Sequence, residues 1–118
     1  MNNRVVYKIV PRALWAEAER SGTFDGAPVD HTDGYIHLSS TTQVTETANR
    51  YFAGLDDLLL VAVPTEPLGK ALVWEPSRGG ALFPHLYSSL SLKDVLWAKP
   101  LLLGPNGSHI FPELEPQT

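Results

Sequence analysis

The chain has 118 residues, 43% of them hydrophobic, a net charge of -4 and no cysteine. That is the size of one domain able to bury its own core, and disulfides and thiolate metal sites are excluded. The acidic balance argues against long nucleic-acid tracts, which need clustered Lys and Arg, and no apolar run approaches the roughly 20 residues of a membrane span.

The opening Met1-Asn2-Asn3-Arg4 runs into a strand-like segment and lacks the apolar stretch of a signal peptide. A cytoplasmic protein is expected. Val5 to Val10 is β-rich and reads as a first strand. Pro11 suits the first helical position, where a missing N–H costs nothing. Leu14, Trp15 and Ala18 then share one helical face, and Gly22 stops the helix. Thr23 to Gly34 carries Gly26, Pro28, Asp25, Asp30 and Asp33 and reads as a polar loop.

Tyr35 to Leu38 reads as a short strand. Ser40-Thr41-Thr42-Gln43 has the form of a capping box for a second helix running to about Phe52. Its apolar face would be Val44, Ala48, Tyr51, Phe52 and Leu55, with Gly54 as its end. Leu58 to Val63 is near-continuously apolar, which predicts a central strand. Pro64 to Gly69 is a turn and Ala71 to Trp74 a strand. Glu75 to Leu82 contains Pro76, Gly79 and Gly80 and reads as a mobile loop. Phe83 to Leu90 is extended. Val95 to Leu103 and Ser108 to Phe111 flank Gly104-Pro105-Asn106-Gly107, a hairpin signal. The tail from Glu113 to Thr118 is expected to fray.

Two early helices and about six or seven later strands predict an α+β fold. The helices would pack on a mostly antiparallel, split or curved sheet in a single domain spanning residues 1–118.

Two strings carry the chemistry: Asp33-Gly34-Tyr35-Ile36-His37-Leu38-Ser39 and Phe83-Pro84-His85-Leu86-Tyr87. On a strand, residues two apart share a face. Tyr35, His37 and Ser39 would therefore line one side, as would Phe83, His85 and Tyr87. Imidazole and hydroxyl groups together bind a ribose or phosphate, or move a proton. The bland alternative for His37 is a buried imidazole bonded to the Asp-rich loop. For His85 it is membership of an aromatic cluster. Glu75, at a strand end, could serve a ribose hydroxyl or an oxocarbenium-like centre, or be a plain surface charge. Arg78 beside Gly79-Gly80, together with Arg12 and Lys8 at the first strand–helix junction, could grip a phosphate. The four histidines show no HxH or HExxH spacing, so no metal is expected. No dinucleotide-binding, Walker or nucleophile-elbow motif occurs.

The order Val6-Tyr7-Lys8-Ile9, Ala13-Leu14-Trp15, Asp33 to Ser39, Val73-Trp74-Glu75 and Phe83 to Tyr87 resembles a known family. It is a family of small bacterial proteins of unknown function, the domain-of-unknown-function family nine-five-two. The likeness runs from about Tyr7 to Val95. That family is grouped by fold with ADP-ribosyltransferases, so the resemblance implies an ADP-ribosyltransferase-like fold and NAD as a substrate. Lys8 falls where those enzymes carry a His or Arg on the first strand. His37-Leu38-Ser39 matches the His-Leu-Ser of the RNA 2′-phosphotransferase branch, although this chain lacks a comparable set of arginines. His85 stands where a catalytic Glu is expected, with Glu75 the nearest carboxylate. The resemblance thus implies His37, His85 and Glu75 as catalytic candidates. Tyr35, Ser39, Tyr87, Arg12, Arg78 and Lys8 would contact the ligand. ADP-ribosyl transfer or hydrolysis and a non-catalytic binding or interaction module that retains the cleft both stay open. So does the oligomeric state.

Overall fold

The computed structural model describes residues 4–115, and at Arg78 the backbone alone. The first strand, β1 (Val5–Pro11), leads into helix α1 (Arg12–Ser21). Pro11 is the residue before the helix, because its ψ of 139° keeps it in the strand. Trp15 and Ala18 are buried and Leu14 packs beside them, as the helical spacing predicts. Gly22 closes α1 at φ 90°, where its N–H reaches the Ala18 carbonyl.

The segment expected as a loop is more ordered. It holds β2 (Thr23–Phe24) and a short helix, α2 (Pro28–Asp33). Pro28 presets the first helical φ. The Ala27 N–H donates to Asp30 Oδ2 at 2.7 Å, and Gly34 ends the helix at φ 89°. The next strand, β3 (Ile36–His37), is shorter than expected, but Ser39 continues it by an isolated bridge to Tyr7.

Helix α3 (Val44–Tyr51) starts later than the capping box predicts, after a turn at residues 41–43. Half of the box forms: the Ser40 N–H donates to Gln43 Oε1 at 3.0 Å. The other half does not, because Ser40 Oγ lies 3.2 Å from Thr42 Oγ1. Val44 and Ala48 are fully buried, whereas Tyr51 and Leu55 are more than half exposed and lie outside the core.

Strand β4 (Leu58–Pro64) and a 3-10 turn (Glu66–Ala71) precede β5 (Leu72–Pro76). Glu75 thus belongs to a strand and not to the loop assigned to it. A second 3-10 turn (Arg78–Gly80) leads to β6 (Leu82–Leu86). Then come β7 (Leu90–Ser91), a third 3-10 turn (Leu92–Asp94), and the hairpin of β8 (Trp97–Leu103) with β9 (His109–Ile110). The segment read as extended from Phe83 to Leu90 is divided between β6 and the start of β7, and β7 pairs with β2, the strand missed from sequence.

Every pairing is antiparallel. The largest sheet has the order β1-β4-β8-β9, and a second has the order β3-β6-β5. The Tyr7–Ser39 bridge joins the two, so the domain is an α+β fold on a split sheet. β1 and β4 are buried on both faces. Val6, Val10, Leu59, Val61 and Val63 face α1, Ile36 and Leu86. Tyr7, Ile9, Leu60 and Ala62 face α3 and Leu101. Near-continuous apolar runs require such double burial.

The tail expected to fray from Glu113 is docked through Glu115; residues 116–118 lie outside the described residues. Leu114 packs on the second core. The Glu115 N–H donates to the Tyr7 hydroxyl at 2.8 Å, and Trp97 Nε1 donates to Glu115 Oε2 at 2.9 Å. Among the described residues no helix is long and apolar enough to cross a membrane.

Candidate functional site

The register of β3, β6 and β5 builds the site. His37 is paired directly with His85, and Glu75 with Phe83. Paired residues point to one face, so His37, His85, Phe83 and Glu75 share a side. Ile36 and Leu86 take the opposite face and enter the core. Glu75 is the diagonal neighbour of His85, close enough for an ion pair. Glu75 Oε1 lies 2.7 Å from His85 Nδ1 and accepts the Tyr87 hydroxyl at 2.8 Å. These bonds, that to His85 first and that to Tyr87 second, hold the Glu75 carboxyl below its ordinary value. The Tyr87 phenol is raised in turn, mainly by the same bond.

Tyr35 covers this pair. Its ring stacks on His85 at 4.0 Å and 22°, and its centroid lies 4.7 Å from that of His37 and 5.3 Å from that of Tyr87. Desolvation raises the Tyr35 phenol, and the charges of Asp33, Glu75 and Asp30 raise it further. The two imidazoles meet edge-on, 5.7 Å apart between centroids.

Asp30 is the residue that sequence reasoning missed. It lies buried at 2% exposure, where four donors converge on its carboxylate: the N–H groups of Ala27 and His37, His37 Nδ1 and Lys8 Nζ. Its Oδ1 accepts the His37 N–H at 3.0 Å and lies 2.6 Å from His37 Nδ1. Lys8 Nζ lies 2.9 Å from Oδ2. Burial opposes the Asp30 charge, but the His37 bond and the Lys8 ammonium win and place its carboxyl well below the usual carboxylate range. Lys8 is lowered by its burial, against the pull of Asp30. The sequence held two signals: Asp30 two residues after a Pro suited to open a helix, and Asp33 four residues before His37. The second pair is real, with His37 Nε2 2.9 Å from Asp33 Oδ2.

A cavity of about 520 Å³ opens over these groups. Tyr35, His37, Ser39, His85 and Lys8 all line it, beside Asp33 and an apolar wall that includes Phe83 and Phe52. Ser39 Oγ is 3.0 Å from Thr47 Oγ1, which ties that wall to α3. Glu75 and Tyr87 stand behind and beside His85 and do not line the cavity themselves.

Two expected phosphate ligands change place. Arg12 is not in the cleft: it follows the last residue of β1 and its Nε pairs with Asp57 Oδ1 at 3.0 Å. Lys8 lines the cleft but is spent on Asp30, because a buried ammonium needs a partner. The Arg78 side chain lies outside the described residues; its neighbour Ser77 lines the cavity. Among the described residues no three His, Asp or Glu side chains converge as a metal site.

An α+β domain with a paired-histidine cleft is thus defined. The chain belongs to the family DUF952, described as protein of unknown function, whose model matches residues 9–98. It is similar to protein CC0527 from Caulobacter crescentus in its crystal structure, at 47% identity and a TM-score of 0.86. That likeness covers 90% of this chain and 93% of the other. The solution NMR structure of CC0527 is similar at 48% identity and a TM-score of 0.81, covering 88% and 90% of the two chains. No curated protein matches the chain.

Proposed function

We propose that the cleft binds NAD or a related ADP-ribosyl compound and promotes its glycosyl transfer or hydrolysis. The observation that carries this reading is the pair of imidazole–carboxylate couples, Asp30–His37 and Glu75–His85, on directly opposed strand positions under one cavity. The split antiparallel sheet and the family resemblance support an ADP-ribosyltransferase-like fold for it. In the reaction the bond from ribose to nicotinamide breaks and its electron pair leaves with nicotinamide. Water or an acceptor hydroxyl then adds to the ribose carbon, and its proton passes to an imidazole. Glu75, which does not line the cavity, acts through His85, whose Nδ1 it engages at 2.7 Å. Tyr35 offers a flat ring to the ligand.

A second reading is a non-catalytic small-ligand or interaction module that keeps the cleft. One observation favours it: Lys8, where the transferases carry a His or Arg, is buried and ion-paired. Incubation with NAD separates the two. The enzyme reading expects nicotinamide release that His37→Ala abolishes. A melting rise with ADP-ribose but no release supports the module. No shift with either compound at millimolar concentration removes NAD from both.

A further inference from the structure

We propose that Asp30 is the positioning residue of the cleft: it fixes the His37 ring with its proton on Nδ1 and turns Nε2 toward Asp33 and the ligand. This takes His37 as a working group, as the reading above does, but does not depend on what the ligand is.

The inference starts from donors and acceptors. An ionised carboxylate only accepts hydrogen bonds. Asp30 Oδ1 lies 2.6 Å from Nδ1 and Asp33 Oδ2 lies 2.9 Å from Nε2, so each nitrogen donates when the ring holds two protons; when it holds one, the shorter bond to the buried Asp30 keeps that proton on Nδ1. The same oxygen accepts the His37 backbone N–H, so one carboxylate holds both ends of one residue. Rotation of the ring would break the shorter bond and leave Asp30 facing carbon. That bond is the shortest the buried carboxylate makes, so its loss disfavours rotation even with Lys8 in place.

Asp30 is itself held by the cap of its own helix and by one other element. The Ala27 N–H fixes Oδ2 at the start of α2, and Lys8 Nζ approaches from β1. The carboxylate therefore cannot follow the imidazole if the ring moves. Gly26 shows how tightly the site is packed: a Cβ there would stand 2.9 Å from Asp30 Cβ. His85 obeys the same rule with a different carboxylate, as Glu75 engages its Nδ1. Both imidazoles are thus gripped through Nδ1, one by a buried acid and one by a more exposed one. Proton traffic with a ligand is left to the Nε2 atoms, that of His37 shared with Asp33 at 2.9 Å.

The test reads tautomers in the full-length protein without ligand. Long-range nitrogen–proton correlation on [15N]histidine-labelled protein is recorded at alkaline pH, where imidazole is neutral. The expected result is a protonated, pyrrole-like Nδ1 in His37. Replacing the ion pair by apolar groups, Lys8→Met with Asp30→Leu, should move His37 to the Nε2–H form. His85 should stay as it was. Asp33→Asn should leave the His37 Nδ1 proton in place. A wild-type His37 protonated on Nε2 would overturn the proposal, and so would an unchanged tautomer in the double variant. If the double variant does not fold, the wild-type tautomer decides alone. Absence of NAD binding would remove the proposed substrate and leave this result standing.

Discussion

His37 and His85 face each other across the β3–β6 pair, their rings meeting edge-on at 5.7 Å. The relationship is a consequence of register. A slip of one residue would send one imidazole into the core with Ile36 or Leu86. Leu86 is fully buried, so that slip is barred by the apolar side of the same strand.

The two histidines should respond differently to truncation. His85 is 3% exposed and stacked beneath Tyr35, so His85→Ala leaves a cavity and takes from Glu75 one of its two partners. A loss of about 2 kcal/mol is expected. His37 is less buried, and His37→Ala should cost less stability while removing the response to ligand. Urea unfolding and ligand-induced melting shifts measure the two effects. Equal stability losses would refute the distinction.

Asp30→Ala leaves the Lys8 ammonium buried without its partner. The expected cost is about 3–5 kcal/mol, the range for breaking one side of a buried pair. Lys8→Met with Asp30→Leu removes both charges and should recover most of that loss. Chemical denaturation of the three variants checks the order.

Stability should fall in acid through Asp30. Its carboxyl is lowered in the folded state, so the unfolded chain binds the proton more readily. The contribution is complete above the ordinary carboxyl value of about 4 and is lost as pH drops below it toward the folded value. In Lys8→Met with Asp30→Leu this part of the acid slope should vanish. Urea midpoints across acidic pH would measure it, and identical slopes would contradict the assignment.

Gln43, more than Ser40, should hold the start of α3. Its Oε1 accepts the Ser40 N–H and its Nε2 donates to the Leu82 carbonyl of β6 at 2.7 Å. Gln43→Ala should cost about 1–2 kcal/mol. Ser40→Ala should cost less, because Ser40 Oγ bonds Thr42 and not a helix N–H. Thermal melts of both variants give the ranking.

Tyr87→Phe removes one of the two bonds that favour ionised Glu75. The Glu75 carboxyl should then titrate closer to its ordinary value, a rise readable from its side-chain carbon resonance. An unmoved titration would mean that His85 alone sets it.

The chain's own pattern determined the elements with long apolar signatures. Val5–Val10 and Leu58–Val63 are strands because β-rich apolar runs can be buried on both faces, and the Gly104–Gly107 turn fixes the last hairpin. Period-two alternation put the polar residues of each histidine string on one face, whereas the pairing of β3 with β6, which sets His37 against His85, was decided by the tertiary structure. Tertiary structure decided the rest. α2 spans only Pro28–Asp33, too short to show helical periodicity, and is held by Gly34 and by the bonds of Asp30. Lys8 reads as a free cation in sequence, yet folding brings Asp30 onto it from 22 residues away. Arg12 is likewise removed from the cleft by Asp57, a partner 45 residues distant. Local sequence encodes backbone preference and burial. Which charge meets which is set only when β1, α2 and β3 close around the same buried carboxylate.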